Sequence, residues 1–431
     1  MNRSKHLIIV TVLFTGTFFS SCKKSSTPPP GPGPGPSPSG SLSIQSISQD
    51  SGPDSTQVVI VGGGFSAVAS EDSVFFNGHH AVIQNANDSV LAVLVPVRAG
   101  TGTVSVKVNG VTATGPVFTY QYTTTEILFA GNGNINGVDG QGRAASFFLP
   151  TGIAMESNGY LLVMQAADGR VRSVSPSGLV GSLATAFMPT IDLNRGFPGV
   201  FMQNIESISF DNSSGRVWVG DPGDNSVSYF NVSGSDVVTS LVDSIHNISG
   251  TDKGKISTFE FPTGVAAANG ELYIVDNETN NMQIINNGKQ IYSVLKSGTA
   301  AIRGILNAPC GIAVDASQNL YIANAGGNNI LKIINDSVAS VFAGSGAKGS
   351  SDGTGTAASF FSPQAITVDS SGNLYVSDTY NQHVRMISPS GIVITFPYQI
   401  SYPAGLAVDP GGSTLFVADA ASCVIYKISI Q

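Results

Sequence analysis

The chain has 431 residues, of which 50 are Gly and 22 are Pro, and only 11% carry a charge, against roughly 25% in an average globular protein. So turn-rich a composition excludes helix bundles and coiled coils, while 42% hydrophobic residues leave material for about two to three packed domains. Twenty Lys and Arg against 28 Asp and Glu give a net charge of −8, which argues against nucleic acid as a partner, because phosphate binding needs clustered basic side chains.

Arg3 and Lys5 precede an apolar run over residues 7–19, the size of a secretory signal's core and too short to span a membrane. The run ends in Phe19-Ser20-Ser21-Cys22, which resembles the lipobox of bacterial lipoproteins, with Phe19 where Leu is usual. The resemblance implies that residues 1–22 are a lipoprotein signal peptide and that Cys22 is acylated as the first residue of the mature chain. Each buried methylene of such an anchor contributes about 0.8 kcal/mol. Several acyl chains would therefore hold the protein on a membrane of the bacterial cell envelope, expected to be the outer membrane, on either its periplasmic or its outward side. Residues 23–40 follow as a tether built from Lys, Pro, Gly, Ser and Thr, semi-extended at roughly 3 Å per residue.

Residues 41–122 alternate short β-branched runs, at 57–61, 73–76, 90–95, 103–108 and 117–120, with turn residues. Six or seven short strands in such a span predict a sandwich. The succession Ser51-Gly52-Pro53, Gly62-Gly63-Gly64, Phe76-Asn77-Gly78, Val95-Pro96, Gly102-Thr103-Val104 and Phe118-Thr119-Tyr120 resembles IPT/TIG domains, an immunoglobulin-like family. Some members bind DNA and others act as spacers. Only Arg98 and Lys107 are basic here, against five carboxylates, so the spacer role is the one expected. His79 and His80 are adjacent in an extended segment and point to opposite faces, a poor chelating geometry.

From residue 123 to 431 one phrase recurs. Its clearest copy runs Pro363 to Asp369, Leu374-Tyr375-Val376-Ser377-Asp378 and His383-Val384-Arg385-Met386-Ile387, and copies start at residues 150, 205, 262, 309, 363 and 403. Such spacing is that of propeller blades, and the phrase resembles the NHL repeat. Phe129-Ala130-Gly131 to Pro150 also duplicates Phe342-Ala343-Gly344 to Pro363, sharing Asp-Gly-x-Gly and Ala-Ala-Ser-Phe-Phe. The fold class expected is all-β: an immunoglobulin-like sandwich followed by a six-bladed β-propeller. Its last copy has three strands, so the orphan strand over residues 126–131 should complete it and close the ring, removing the open edges. Cys310 and Cys423 fall in non-neighbouring blades, which predicts two buried thiols.

Propeller ligands usually sit where loops meet around the channel. Thr151, Glu206, Thr263, Cys310, Gln364 and Ala404, each following the Pro position, should ring that mouth. A calcium-dependent lactonase would need several oxygen ligands there, and only Glu206 is a carboxylate. The lyase branch of NHL-like enzymes uses histidines, but the propeller holds just His246, in a loop-like segment without a visible partner, and His383, in a third strand. Asp221, Asp276, Asn324, Asp378 and Asp419 each end a second strand, where such residues cap their own turn. The Asp139 and Asp352 loops open no helix after a strand, as a phosphate loop must, and read as interblade turns. No catalytic residue, cofactor or metal ligand is assigned.

Fourteen basic and 23 acidic side chains in residues 123–431 also disfavour RNA. Trp218 belongs in a second strand and hence in the core. The candidate ligand face comprises Phe197, Tyr380, Tyr398 and Tyr402, with Arg195, Glu206 and Arg303 as polar companions. The reading is a monomeric, lipid-anchored binding or scaffold protein whose propeller meets an envelope protein or a glycan. A propeller-type lyase or lactonase with an unrecognised metal site is the alternative.

Overall fold

The computed structural model describes residues 40–166, 168–186, 207–222, 226–233, 237–245, 259–286, 290–293, 305–334 and 338–431. The signal segment, Cys22 and the tether before Gly40 lie outside the described residues, as do Arg195, Phe197, Glu206, His246 and Arg303.

The first unit is two facing sheets. One orders Ser43–Ser48, Gln57–Gly63, Val90–Leu94 and Val82–Ala86, and the other Ser51–Gly52, Val111–Tyr120, Gly102–Val108, Asp72–Phe76 and His79–His80. Alternation decides what lies between them: Val58, Ile60, Val74, Phe76, Leu91, Val93, Val104 and Val106 are buried. Phe76 and Phe118 meet T-shaped with ring centroids 5.1 Å apart. His79 and His80 are both exposed, and His80 stands edge-on to Phe75.

Among the described residues the second unit is a ring of six antiparallel sheets. Its inner strands are Pro150–Met155, Ser207–Asp211, Pro262–Ala268, Pro309–Val314, Pro363–Val368 and Pro403–Val408. They contact one another in that order, and the last returns to the first. Second strands are enclosed by neighbouring blades on both faces, which is why Leu161–Gln165, Leu320–Asn324 and Leu374–Asp378 are buried at every position and read as near-continuous apolar runs. In three blades only Gly fits where inner strands converge: a Cβ on Gly264, Gly311 or Gly405 would overlap the carbonyl oxygen of Cys310, Gln364 or Thr151 on the adjoining blade. Ser207 and Ala365 replace it in the second and fifth blades.

The orphan strand closes the ring as expected. Thr124–Ala130 pairs antiparallel with Val424–Ile430, from Thr124 opposite Ile430 to Leu128 opposite Tyr426. Cys310 and Cys423 are free and buried.

One ion pair ties the two units together. Arg98 Nη2 lies 2.8 Å from Asp369 Oδ2, with the two side chains 14% and 0% exposed. Asp369 also accepts hydrogen bonds from Asn373 Nδ2 and the Tyr375 hydroxyl, while the Arg98 backbone N–H donates to the Tyr120 hydroxyl at 2.7 Å. Tyr122 packs against the cores of both units, and burial pushes its hydroxyl up to about 12. Because Asp369 follows the inner strand Pro363–Val368, the sandwich sits on the side where inner strands end. The mouth, where they begin, faces the other way.

Two outcomes follow from these contacts. A propeller beginning at residue 132 should melt well below one beginning at residue 123; equal midpoints in thermal unfolding would show that the ring does not need the strand. Arg98→Ala should leave buried Asp369 without its cation and raise native-state protease cleavage within residues 121–124 several-fold, so an unchanged cleavage rate would mean that Tyr122 packing alone couples the units.

Candidate ligand-binding site

In five blades the mouth is built by a buried polar group at the end of the second strand. Asp276 accepts from the backbone N–H of Glu260 and Phe261 at 2.8 and 3.2 Å. Asn324 accepts from Asn307 N at 2.7 Å, Asp378 from Phe361 N at 2.7 Å, and Asp419 from Ser401 and Tyr402 N at 3.2 and 3.0 Å. In the first blade Gln165 takes this role, its Oε1 accepting from Phe148 N at 3.0 Å. The sequence predicts caps of local turns. Asp276 and Asp419 do bond their own turns, at Thr279 and Ser422, but the longer reach is to the loop entering the inner strand of the same blade.

Two of these hooks are extended by a buried arginine. Arg385, fully buried over the Phe360 ring at 5.0 Å, donates to Asp378 Oδ2 at 2.7 Å and Asp352 Oδ1 at 2.8 Å, and to the carbonyls of Ser359 and Ser351. Arg172 repeats the pattern over Phe147, donating to Asp139, Gln165 and the Ser146 carbonyl. The Asp139 and Asp352 turns are thus ion-pair partners of the blade interior. Burial pushes the Asp378 carboxyl up, against Asn381, the Phe361 amide and Arg385; with the guanidinium at hydrogen-bond distance, the charged pair is the state the geometry holds.

Thr151, Thr263, Cys310, Gln364 and Ala404 line one central cavity of about 70 Å³, together with Ser207. Glu206, the sixth member of the predicted ring, lies outside the described residues. No charged side chain lines the cavity among the described residues. Gln364 Nε2 donates to the Tyr402 hydroxyl at 3.1 Å, and Tyr380 stands T-shaped to both Tyr402, at 6.4 Å, and Phe361, at 5.1 Å. Tyr380 is 46% exposed. Lys348 lies over the Phe361 ring at 4.8 Å. Burial pushes the Cys310 thiol up to about 12, against a hydrogen bond from Asn277, so it is a neutral group and no ready nucleophile.

Of the three predicted tyrosines, the structure therefore brings Tyr380 and Tyr402 together beside Gln364. Tyr398 does not join them; it is half-buried against the core that holds Leu406 and Val417, because its loop folds back over the sixth blade. Phe361 lies in the duplicated Ala-Ala-Ser-Phe-Phe, where repetition marks it as structural, and Lys348 carries no repeat signal. His383 is a strand residue whose Nδ1 lies 2.6 Å from the Asn381 carbonyl. Trp218 is buried against Tyr229 as predicted.

A larger cleft, of about 310 Å³, opens on the opposite side between the second and third blades and is lined by Asp211, Arg216, Trp218 and Glu271. Its charges are already engaged. Arg216 stacks on Tyr229 at 4.7 Å, and although burial opposes ionisation of Asp211, bonds from Ser214 and Ser213 hold its carboxyl below the usual range. Among the described residues no group of three His, Cys, Asp or Glu is placed to hold a metal ion.

Residues 42–122 match the IPT/TIG domain and residues 360–385 match the NHL repeat. The chain carries both. No curated protein matches the sequence. Among solved structures it is similar to a structural genomics protein of unknown function from Bacteroides thetaiotaomicron, at 21% identity and TM-score 0.58 over 90% of this chain and 98% of that one. It is also similar to an auxiliary nutrient binding protein of the same organism, at 17% identity and TM-score 0.53 over 90% and 97% of the two chains. Another auxiliary nutrient binding protein, from Bacteroides ovatus, aligns at 17% identity and TM-score 0.54 over 90% and 98%. At these identities the likeness is one of fold, and it covers both the sandwich and the ring.

Removing one partner of a buried ion pair costs about 3–5 kcal/mol. Arg385→Ala should lower stability by that order in urea unfolding; a loss under about 1 kcal/mol, the worth of a surface pair, would mean that Asn381 and the Phe361 amide suffice for Asp378.

Proposed function

We propose that this protein is a non-catalytic binding scaffold of the bacterial cell envelope, anchored through acylated Cys22, with the sandwich as spacer and the propeller mouth as the face that meets an envelope protein or a glycan. The observation that carries the reading is the orientation of the mouth: a hydroxyl- and amide-lined opening, with no charged side chain among the described residues that line it and an exposed aromatic beside it, on the side the sandwich leaves free. Auxiliary nutrient binding proteins of the same fold support it. Fold alone does not assign chemistry, and enzymes occur among the similar structures, lyases included. A lyase or lactonase on this face would have to draw its metal ligands from Glu206, His246 or neighbouring residues outside the described ones.

Thermal unfolding of the detergent-purified full chain with metal ions, chelator, oligosaccharides and envelope extracts separates these readings. A ligand present at 100 times its Kd and bound only by the folded state adds about 2.7 kcal/mol, enough for a clear upward shift. The expected result is a shift with an organic ligand and none with chelator. Stoichiometric zinc or calcium in the purified protein, with a fall in melting temperature on chelation, would overturn it.

A further inference from the structure

Resting on that reading of the mouth as the binding face, we propose that its ligand is a neutral oligosaccharide: one sugar ring packs on Tyr380 while one of its hydroxyl or hydroxymethyl groups enters the channel and bonds Gln364 and Thr151. Three polar atoms of the cavity wall, Thr151 Oγ1, Ser207 Oγ and Gln364 Oε1, have no partner among the described residues, and Thr151 and Gln364 are 7% and 5% exposed. Gln364 shows why its oxygen is the free end. Its Nε2 is spent on the Tyr402 hydroxyl, so Oε1 is left as an acceptor for a ligand that can donate.

Charge and size narrow the class. An ionised group entering this cavity would find no counter-charge among the described residues that line it, and burying an unpaired charge is strongly unfavourable. A volume of about 70 Å³ has room for a hydroxyl or hydroxymethyl group, since a water's share of liquid volume is about 30 Å³, but none for a whole ring. The ring must stay at the opening. There Tyr380 is exposed yet held in orientation by T-shaped contacts to Phe361 and Tyr402, and Tyr402 is the same side chain that fixes the Gln364 amide. Platform and acceptor are thus one connected piece. A peptide would need backbone partners, and although each inner strand ends its sheet and keeps one edge toward the channel, a volume of about 70 Å³ has no room for an added peptide strand.

The test is isothermal titration of the full-length protein in detergent with cello-, xylo-, manno- and maltohexaose, with hexagalacturonate as an acidic probe and an envelope-protein digest as a peptide probe. At least one neutral hexaose should bind. Tyr380→Ala and Thr151→Val should each weaken it about tenfold, the equivalent of 1.4 kcal/mol, with Tyr380→Ala still folded and its melting temperature lowered only by the loss of its contacts to Phe361 and Tyr402. Gln364→Leu should do the same, and Gln364→Glu should abolish binding by leaving a buried carboxylate. Binding of hexagalacturonate or peptide alone would overturn the neutral-sugar assignment and keep the scaffold reading. A neutral hexaose whose affinity ignores Tyr380→Ala and Thr151→Val would place the site elsewhere and overturn it too. No binding by any probe would remove this proposal, and a flat thermal panel beside it would remove the scaffold reading as well.

Discussion

The mouth of the ring depends on one recurring constraint: backbone N–H groups that turn inward at the start of an inner strand must find acceptors where water does not reach. The chain meets this with a buried polar side chain at the last position of the second strand, Gln165, Asp276, Asn324, Asp378 and Asp419. Each bond fixes the height at which the inner strand begins, and hence the ring of residues that follow. An acceptor that is charged or amide-bearing, fully enclosed and aimed at a specific N–H makes the loop's alternatives expensive. Glycines such as Gly264 and Gly311 complete the arrangement by letting inner strands approach closely enough that no wide pore remains.

The two arginines act at a second level. A chain with only 20 Lys and Arg spends two of these cations, Arg172 and Arg385, in the interior, each beneath a loop that belongs to the duplicated block. Those loops enter the first and fifth blades, which flank the sixth, the only blade completed by a strand from the other end of the ring. Ordering them on both sides of the seam stiffens the neighbourhood in which a terminal strand must find its register. Asp139 shows the balance within such a contact: burial opposes its charge, yet bonds from Ser182 and Arg172 outweigh burial and hold the carboxyl below its usual range. That stabilisation is present above the ordinary carboxylate range and fades as pH falls through the lowered value.

Much of this was legible in the sequence because repetition makes it so. The spacing of the Pro-containing phrase marks the inner strands, and the missing fourth strand of the last copy names the orphan strand over residues 126–131 as its replacement, which the structure extends back to Thr124. The ring residues Thr151, Thr263, Cys310, Gln364 and Ala404 follow from their place after the Pro position alone. What could not be read were contacts between residues far apart in the chain. Asp378 and Asp419 look like turn caps because the turn is local and the hooked loop begins some 17 residues earlier. Arg98 and Asp369 are 271 positions apart and share no motif. Tyr398 and Tyr402 differ by four positions, yet one packs into the sixth blade and the other faces the mouth, a distinction set by how the loop folds and not by residue type.

Docking of the sandwich gives the ring a direction. Arg98 reaches Asp369 just past the end of an inner strand, and the connection through Tyr122 enters the propeller on that same side, where Thr124 pairs with Ile430. A flexible joint would let the ring present either side to its surroundings. A buried ion pair and a tyrosine shared by both cores remove that freedom. With the sandwich fixed to the side where the inner strands end, the mouth is left open on the other side of the ring.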